Sequence, residues 1–294
     1  MRAFVVERWA RRALGTATGV SVVAVLAIVA FLVVGAVPLF ASGEILSVLF
    51  GRWRPYAGQY GIAPMIVGSL CLAASALAIA FPAAVGICAF AHGLAPRRLG
   101  RLVLAVVHFM TSIPTVVYGF VSVFLLVPLV RNAFGAGSGM SLLTAALTLS
   151  VLVLPTVTLL IHVRLQQVDP GVRLACSALG LTPAQSFLSV LLPASRRGLA
   201  AAAALGFCRA MGDTLIALMV AGNAPQFPAS PLDSVRTLTS HIPLVLASSW
   251  GGPEYRTVVA AGLLLLLLAA SLSLVIRRLV GPSRQEASRA QDAS

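Results

Sequence analysis

The sequence contains no lysine, and only 10% of its 294 residues are charged. A P-loop uses a lysine to reach nucleotide phosphates, so this chain lacks that ATP-binding motif. Its four histidines form neither an HExxH pair nor a zinc-ligand cluster in the sequence. They are His92, His108, His162 and His241. We therefore expect no enzyme activity and no cofactor on this chain, and we expect any ATP hydrolysis to take place on another subunit.

Long apolar runs dominate what is present, since 59% of the residues are hydrophobic. A membrane-spanning helix needs about 20 mostly apolar residues. Six runs meet this requirement: 16–40, 63–91, 102–130, 141–163, 198–221 and 257–276. They predict an all-α membrane protein with six transmembrane helices, in a single domain over 1–294.

The two ends of the chain receive separate interpretations. The first run, 16–40, is longer than the apolar part of a signal peptide, so it is interpreted as an uncleaved extra helix before the core spans at 63–280. The last fourteen residues, 281–294, have the sequence GPSRQEASRAQDAS, and this polar tail is expected to be disordered.

The formal charge of +13 is carried by arginines whose positions fit a membrane topology. If both termini are cytoplasmic, fifteen arginines lie on the inner side, five on the outer side and one within a span. This asymmetry follows the positive-inside rule and accounts for the charge without a nucleic-acid partner. The five outer arginines are Arg52, Arg54, Arg131, Arg236 and Arg256.

Two opposite charges interrupt the fifth run, in the sequence CRAMGDT. Placing Arg209 or Asp213 at the centre of a membrane costs about 2.5 to 3.5 kcal/mol each. A spacing of four predicts that both lie on one face of a helix. The guanidinium offers a planar fork of donors that suits an oxyanion. The pair is interpreted either as part of a substrate pathway or as a buried ion pair that holds helices together.

The longest connection on the predicted cytoplasmic side is 164–197. A helix opened by Asp169 and Pro170 is expected to end at Gly180, and a second helix is expected to begin at Thr182. A Thr-x-x-Gln capping box favours this second start, and Pro193 is expected to end the helix. Two short helices around a glycine are typical either of a docking surface or of an ordinary interfacial helix pair.

This connection resembles the EAA motif of permeases in binding-protein-dependent ABC importers. The matching positions are Ala175, Gly180, Val190, Leu192 and Pro193. Leu174 stands where the family has glutamate, and Cys176 stands where it has the second alanine. The resemblance implies a type I importer permease fold in which this cytoplasmic loop couples to an ATPase.

Within that family the chain resembles the C-type membrane subunit of phosphate-specific importers. The resemblance rests on the segments YGIAPMIVGSL, LAPRRLGR, SIPTVVYGF, GFCRAMGDT and GNAPQF. Asp213 replaces the glutamate of the fourth segment. The resemblance implies a multi-pass permease of the bacterial inner membrane that moves phosphate past Arg209 and Asp213. The implied partners are a second phosphate permease, an ATPase dimer and a phosphate-binding protein.

Three alternatives remain open at the level of sequence. The solute could be another oxyanion, such as sulfate, molybdate or a phosphonate. The chain could act mainly in phosphate sensing, or it could form an ATP-independent channel or secondary transporter. The last alternative leaves the 164–197 connection without a purpose.

Overall fold

The computed structural model describes residues 2–135, 137–168, 170–248, 251–252 and 254–280. Side chains of residues 2–8, 173, 279 and 280 are outside this description, and so are Asp169 and the predicted tail at 281–294. The fourteen helices in the described residues are α1 Arg2–Ala41, α2 Ile45–Phe50, α3 Ala63–Ala89, α4 Arg97–Thr111, α5 Thr115–Val121, α6 Val127–Phe134, α7 Leu142–Gln166, α8 Pro170–Ala178, α9 Pro183–Ser186, α10 Leu192–Ala194, α11 Arg196–Met211, α12 Leu215–Val220, α13 Leu238–Ser248 and α14 Tyr255–Val280.

Short irregular elements complete the described chain. Strands β1 (Trp53–Arg54) and β2 (Gln59–Tyr60) pair antiparallel into a hairpin that carries a 3₁₀ turn at Pro55–Ala57. Three π-helical segments adjoin the helices at Phe90–Leu94, Ser122–Leu126 and Phe187–Leu191. The predicted all-α class is therefore confirmed, with one small hairpin that the sequence analysis did not identify.

Five helical stretches among the described residues are long and apolar enough to cross a membrane. They are Trp9–Ala41, Ala63–Leu94, Thr115–Phe134, Leu142–Gln166 and Tyr255–Arg278. Four of them coincide with the predicted runs 16–40, 63–91, 141–163 and 257–276. The chain is therefore a multi-pass helical protein.

The prediction that residues 102–130 form one continuous helix was wrong. The chain leaves the helix at Ser112, and Pro114 starts α5 from an extended conformation with ψ 141°. Proline lacks an N–H and disfavours a helical conformation at the residue before it, here Ile113. As a result, only Thr115–Phe134 of this region is a candidate span.

The prediction that residues 198–221 form one continuous helix was also wrong. It is divided between α11 and α12 by the break Gly212–Thr214. Glycine has a poor helix propensity, and aspartate side chains compete for backbone N–H groups near helix ends. The six uninterrupted spans thus become five candidate spans and one broken pair of helices.

The core of the bundle lies between α3, α7 and α11. Alanines on α3 are fully buried against α7, among them Ala73, Ala76 and Ala84. A Cβ added at Gly206 of α11 would lie 2.6 Å from a methyl carbon of Val157. Small residues let membrane helices approach closely, and that approach sets the position of α11 against α7.

The N-terminal helix α1 is peripheral to this core. Most of its surface is exposed, and its buried residues include Ala36 and Leu39 near its C-terminal end. Gly35 faces Val259 of α14, where a Cβ would lie 3.1 Å from a methyl carbon. The core helices therefore position the functional site without α1.

Candidate functional site

The break at Gly212–Thr214 determines where both predicted charges lie. Arg209 is in the last turn of α11, where a positive charge interacts favourably with the C-terminal end of the helix dipole. Asp213 lies beyond that helix, and its Oδ2 accepts a hydrogen bond from the backbone N–H of Ile216 at 2.8 Å. The carboxylate therefore caps the start of α12. The expectation that both residues share one face of a single helix was wrong.

Arg209 is exposed in the single chain. Its side chain has no hydrogen-bond or ion-pair partner among the described residues. Asp213 is half-buried. The interpretation as a direct ion pair is therefore not supported, and the guanidinium is left for another partner. Because a charge facing lipid is costly, this surface of α11 needs water or another polypeptide beside it.

Helix α13 is fastened to the break, although the sequence analysis did not identify this helix. The Thr239 hydroxyl donates to the backbone carbonyl of Asp213 at 2.9 Å. The backbone N–H of Leu238 donates to Ser69 Oγ of α3 at 2.8 Å, which ties the same turn to the core. The Thr237 hydroxyl accepts a hydrogen bond from the Ser240 N–H. A threonine that caps the N–H three residues later is typical of a helix start, so the sequence Thr-x-x-Ser could have indicated this helix.

A tight loop follows α12. Asn223 adopts a left-handed conformation with φ 59°, and its Nδ2 donates to the carbonyl of Leu218 at 2.7 Å. Arg236 donates from Nε to the carbonyl of Asn223 at 2.9 Å, and its guanidinium lies 6.0 Å from the centroid of the Trp53 ring. These contacts join the hairpin to the loop beyond α12.

Helices α8 to α10 form a protruding segment, which we call the knob (residues 170–194). Gly180 has φ 70° and ends α8 with two hydrogen bonds: its own N–H donates to Ser177, and the N–H of Leu181 donates to Cys176, both at 3.1 Å. This is the Schellman arrangement that favours glycine. The predicted capping box of Thr182 and Gln185 is present. The predicted helix–glycine–helix geometry is confirmed.

The matched motif residues occupy different environments on the knob. Ala175, Gly180 and Pro193 are exposed, whereas Val190 and Leu192 are half-buried. Pro193 does not end the helix as expected. The helical backbone passes through it and turns at Ser195, after the π-helical segment. Three large apolar side chains on the knob are exposed by 59 to 78%: Leu174, Leu179 and Leu188.

The knob rests on the π-helical turn at Phe90–Leu94. Phe187 is buried, and a Cβ at Gly93 would lie 3.3 Å from the Cβ of Phe187. Beside Gly93, His92 Nε2 lies 2.8 Å from His162 Nδ1 of α7. The structure thus brings together two histidines that are 70 positions apart. Among the described residues, no group of three or more His, Cys, Asp or Glu is arranged to hold a metal ion.

Comparison with known proteins identifies the family. A family model described as "Binding-protein-dependent transport system inner membrane component" matches residues 84–285. A Bacillus subtilis protein named "Probable ABC transporter permease protein YqgH" is 34% identical, over 85% of this chain and 80% of that protein. The "Phosphate transport system permease protein PstC" of Haemophilus influenzae is 27% identical, over 79% of this chain and 80% of the relative.

A solved structure supports the fold. The inward-facing MetNI methionine ABC transporter contains a chain that matches with a TM-score of 0.60 and 19% identity. The match covers 78% of this chain and 98% of that one. The architecture is thus that of a type I ABC importer permease, as the resemblance implied. The chain belongs to the family of binding-protein-dependent transport system inner membrane components.

Proposed function

We propose that this chain is the membrane permease subunit of an ATP-driven importer that carries inorganic phosphate into the cytoplasm. It receives phosphate from a binding protein outside the membrane and works beside a second phosphate permease. An ATPase dimer hydrolyses ATP, and this chain binds no cofactor of its own. The observation that carries the proposal is Arg209, whose exposed guanidinium lies beside a broken helix and has no hydrogen-bond partner among the described residues.

Arg209 is suited to contact an oxyanion in transit. A guanidinium keeps its charge in any protein environment and presents its donors in a plane, which matches two oxygens of phosphate. Its position at the end of α11 exposes it on the surface of this chain. A second permease against that surface would enclose the charge between the two subunits. Each permease then supplies half of the pathway.

Asp213 has a different role from that of Arg209. Its carboxylate is engaged by the Ile216 N–H, and its backbone carbonyl is engaged by Thr239. These two bonds fix the geometry of the break, so the end of α11 is held in place. We infer that Asp213 shapes the pathway by holding the break at the end of α11.

The knob is proposed as the ATPase docking surface. Exposed leucine side chains are unfavourable in water, so a group of them favours contact with another protein. Leu174, Leu179 and Leu188 provide such contacts. Leu174 stands where the family has a charged glutamate, so docking here relies on apolar contact at that position. Movement of the docked ATPases reaches the core helices through Phe187 and the turn at Gly93.

The membrane orientation follows from the arginines. We infer that both termini and the knob are cytoplasmic, because this orientation puts fifteen arginines on the inner side and five on the outer side, in agreement with the positive-inside rule. The hairpin and the loop around Arg236 then face outward, where the binding protein docks. The location is the inner membrane of a bacterial cell.

The substrate is tested by ATP hydrolysis in the reconstituted complex. Binding protein loaded with phosphate is expected to stimulate hydrolysis, whereas sulfate, molybdate and a phosphonate are not. Equal stimulation of hydrolysis by any of these other anions would indicate that this anion is the substrate in place of phosphate. Hydrolysis and uptake that need no binding protein would contradict the importer mechanism itself.

A further inference from the structure

Helix α4 connects two candidate membrane spans on the side of the bundle that carries the knob. It has 15 residues and a length of about 22 Å, which is too short to cross a hydrocarbon core of about 30 Å. Near its start, a Cβ added at Gly100 would lie 2.6 Å from the carbonyl oxygen of Ala91, in the turn on which the knob rests. Near its end, the Met110 carbonyl accepts a hydrogen bond from the Tyr118 hydroxyl at 3.0 Å. Helix α4 is therefore held between the end of one span and the start of the next.

One exposed stripe of α4 is apolar. Its members are spaced by three, four and three positions, which puts them on one side of a helix. Their side chains are exposed by 42 to 69%: Leu99, Leu102, Val106 and Phe109. Elsewhere on α4, Gly100 and Val107 are buried. Because a contiguous apolar surface is unfavourable in water, this stripe needs an apolar environment.

A basic edge runs beside the apolar stripe. Arg97 and Arg101 are four positions apart, so they lie one turn apart on the same side of α4. Both are exposed, and so is Arg98. The Nε of Arg101 donates to the carbonyl of Arg97 at 3.3 Å, but none of the three arginines has an ion-pair partner in the described part of the chain. Positive charges in the first turn of a helix are unfavourable to the helix dipole, so these arginines do not stabilise α4 itself.

The neighbouring protein does not supply the missing negative charge. The sequence contains no aspartate or glutamate between Glu44 and Asp169. This stretch includes α4 and the two elements with which α4 makes its main contacts, the turn at Phe90–Leu94 and α7. Arginines beside leucines and a phenylalanine are typical of helices that lie in the membrane interface, and basic residues next to a span attract anionic lipids.

We propose that α4 is an interfacial anchor that binds the headgroups of anionic phospholipids in the leaflet on the knob side of the membrane. The apolar stripe faces the acyl chains, and Arg97, Arg98 and Arg101 contact the lipid phosphates. A guanidinium presents its donors in a plane, which suits phosphate oxygens. Three positive charges on a helix without a carboxylate favour lipids of net negative charge over zwitterionic lipids. Lipid fits this surface better than a second protein, because headgroups and acyl chains meet where the two spans end.

Bound lipid would also steady the base of the knob. Helix α4 packs through Gly100 on the turn at Ala91, and the same turn contacts Phe187 of the knob at Gly93. We expect ATP hydrolysis to be coupled more tightly to phosphate uptake in membranes that contain anionic lipid. Lipid binding does not depend on which solute is carried, whereas this effect on coupling rests on the proposed function.

Binding is tested by photo-crosslinking of lipid headgroups to the full-length permease, alone and in the assembled importer. Phosphatidylcholine nanodiscs contain a photoreactive headgroup probe, which is phosphatidylglycerol in one arm and phosphatidylcholine in the other. Peptide mass spectrometry locates the adducts along the chain. We expect several-fold more adducts on α4 with the phosphatidylglycerol probe. Equal labelling of α4 by the two probes would overturn the anionic-lipid site. Labelling by neither probe in the assembled importer would also overturn it and assign this surface to another subunit.

Two matched double variants show whether the selectivity comes from the basic edge. Arg97→Gln/Arg101→Gln is expected to make labelling of α4 by the two probes equal. Arg277→Gln/Arg278→Gln removes two exposed arginines at the end of α14 and should leave the selectivity at α4 intact. Selectivity that persists in the first double variant would contradict the role of these arginines.

The outcomes separate this site from the proposed function. Selective labelling of α4 that is lost in Arg97→Gln/Arg101→Gln would support the site, even if the complex transports another anion. Equal labelling in the wild type would overturn the site, even if phosphate uptake is normal. The effect on the knob is measured as phosphate taken up per ATP hydrolysed in proteoliposomes with and without phosphatidylglycerol. The same ratio in both membranes would contradict that effect.

Discussion

The Thr239 hydroxyl donates a hydrogen bond to the backbone carbonyl of Asp213 at 2.9 Å, across 26 positions of the chain. This bond connects α13 to the point where the helix carrying Arg209 ends. It gives a partner to the Asp213 carbonyl at the break between two helices, and unpaired backbone groups are costly in a membrane. The break, and not a continuous helix, determines how Arg209 is presented.

Replacing Thr239 is expected to disturb this break. Thr239→Val removes the hydroxyl while nearly preserving the volume, at a cost of about 1 kcal/mol in the free energy of unfolding. We expect normal membrane insertion and a several-fold lower rate of phosphate uptake in proteoliposomes. Thr239→Ser keeps the hydroxyl and serves as the matched control. Equal uptake by the Val and Ser variants would show that phosphate transport does not depend on this hydrogen bond.

The effect of replacing Gly180 is expected to depend on how well the new residue tolerates a left-handed backbone conformation. A left-handed conformation costs most L-residues about 1 to 2 kcal/mol, whereas asparagine tolerates it better. Gly180→Val should therefore reduce co-purification of the ATPase or uncouple hydrolysis from uptake, and Gly180→Asn should be mild. Because a Cβ at Gly180 meets no atom within 4 Å, a steric clash is not the cause. Normal coupled uptake by Gly180→Val would count against the knob as the docking surface.

Gly206 is expected to control the approach of α11 to the core. Adding a methyl group places it 2.6 Å from Val157, and such overpacking costs about 1 to 3 kcal/mol. Gly206→Ala should lower the thermal stability of the detergent-solubilised permease. Val157→Ala, combined with it, makes room for the added methyl group and should restore part of the loss. A double variant no more stable than Gly206→Ala would contradict this packing.

The topology is expected to follow the arginines. Cysteines introduced next to Arg97 and Arg196 should react with an impermeant thiol reagent only from the cytoplasmic side. Cysteines next to Arg54 and Arg236 should react only from outside. The fully exposed Tyr56 of the hairpin is a suitable label position for the outer side. Opposite labelling at any two of these four sites would overturn the orientation.

The sequence predicted the class of fold well because hydrophobicity and length largely determine membrane-spanning helices. It could not predict which runs are interrupted. Pro114 and Pro155 both lie in long apolar runs, yet Pro155 is buried within α7 and Pro114 is exposed at a break. The neighbours of Pro155 on α7, Leu152 and Val153, belong to the buried core, and tertiary packing can override local helix preferences. That packing depends on contacts far apart in the chain.

The local geometry of the knob was predictable because it depends on neighbouring residues. The capping box at Thr182 and the left-handed Gly180 both arise within a few positions. The break at Asp213 was not predicted, since four-residue spacing was interpreted as helical when the carboxylate instead caps α12. The contact of His92 with His162 likewise comes from tertiary packing.

The role of Arg209 is tested most directly by phosphate uptake of four complexes in proteoliposomes: wild type, Arg209→Lys, Arg209→Gln and the double variant Arg209→Gln/Asp213→Asn. Lysine keeps the charge and loses the planar fork, so a contact with phosphate should suffer where a simple ion pair would survive. We expect all four to insert and assemble normally, uptake to fall steeply in both single variants, and the double variant to remain inactive. Near-wild-type uptake by the double variant would contradict the assignment of Arg209 to the phosphate pathway.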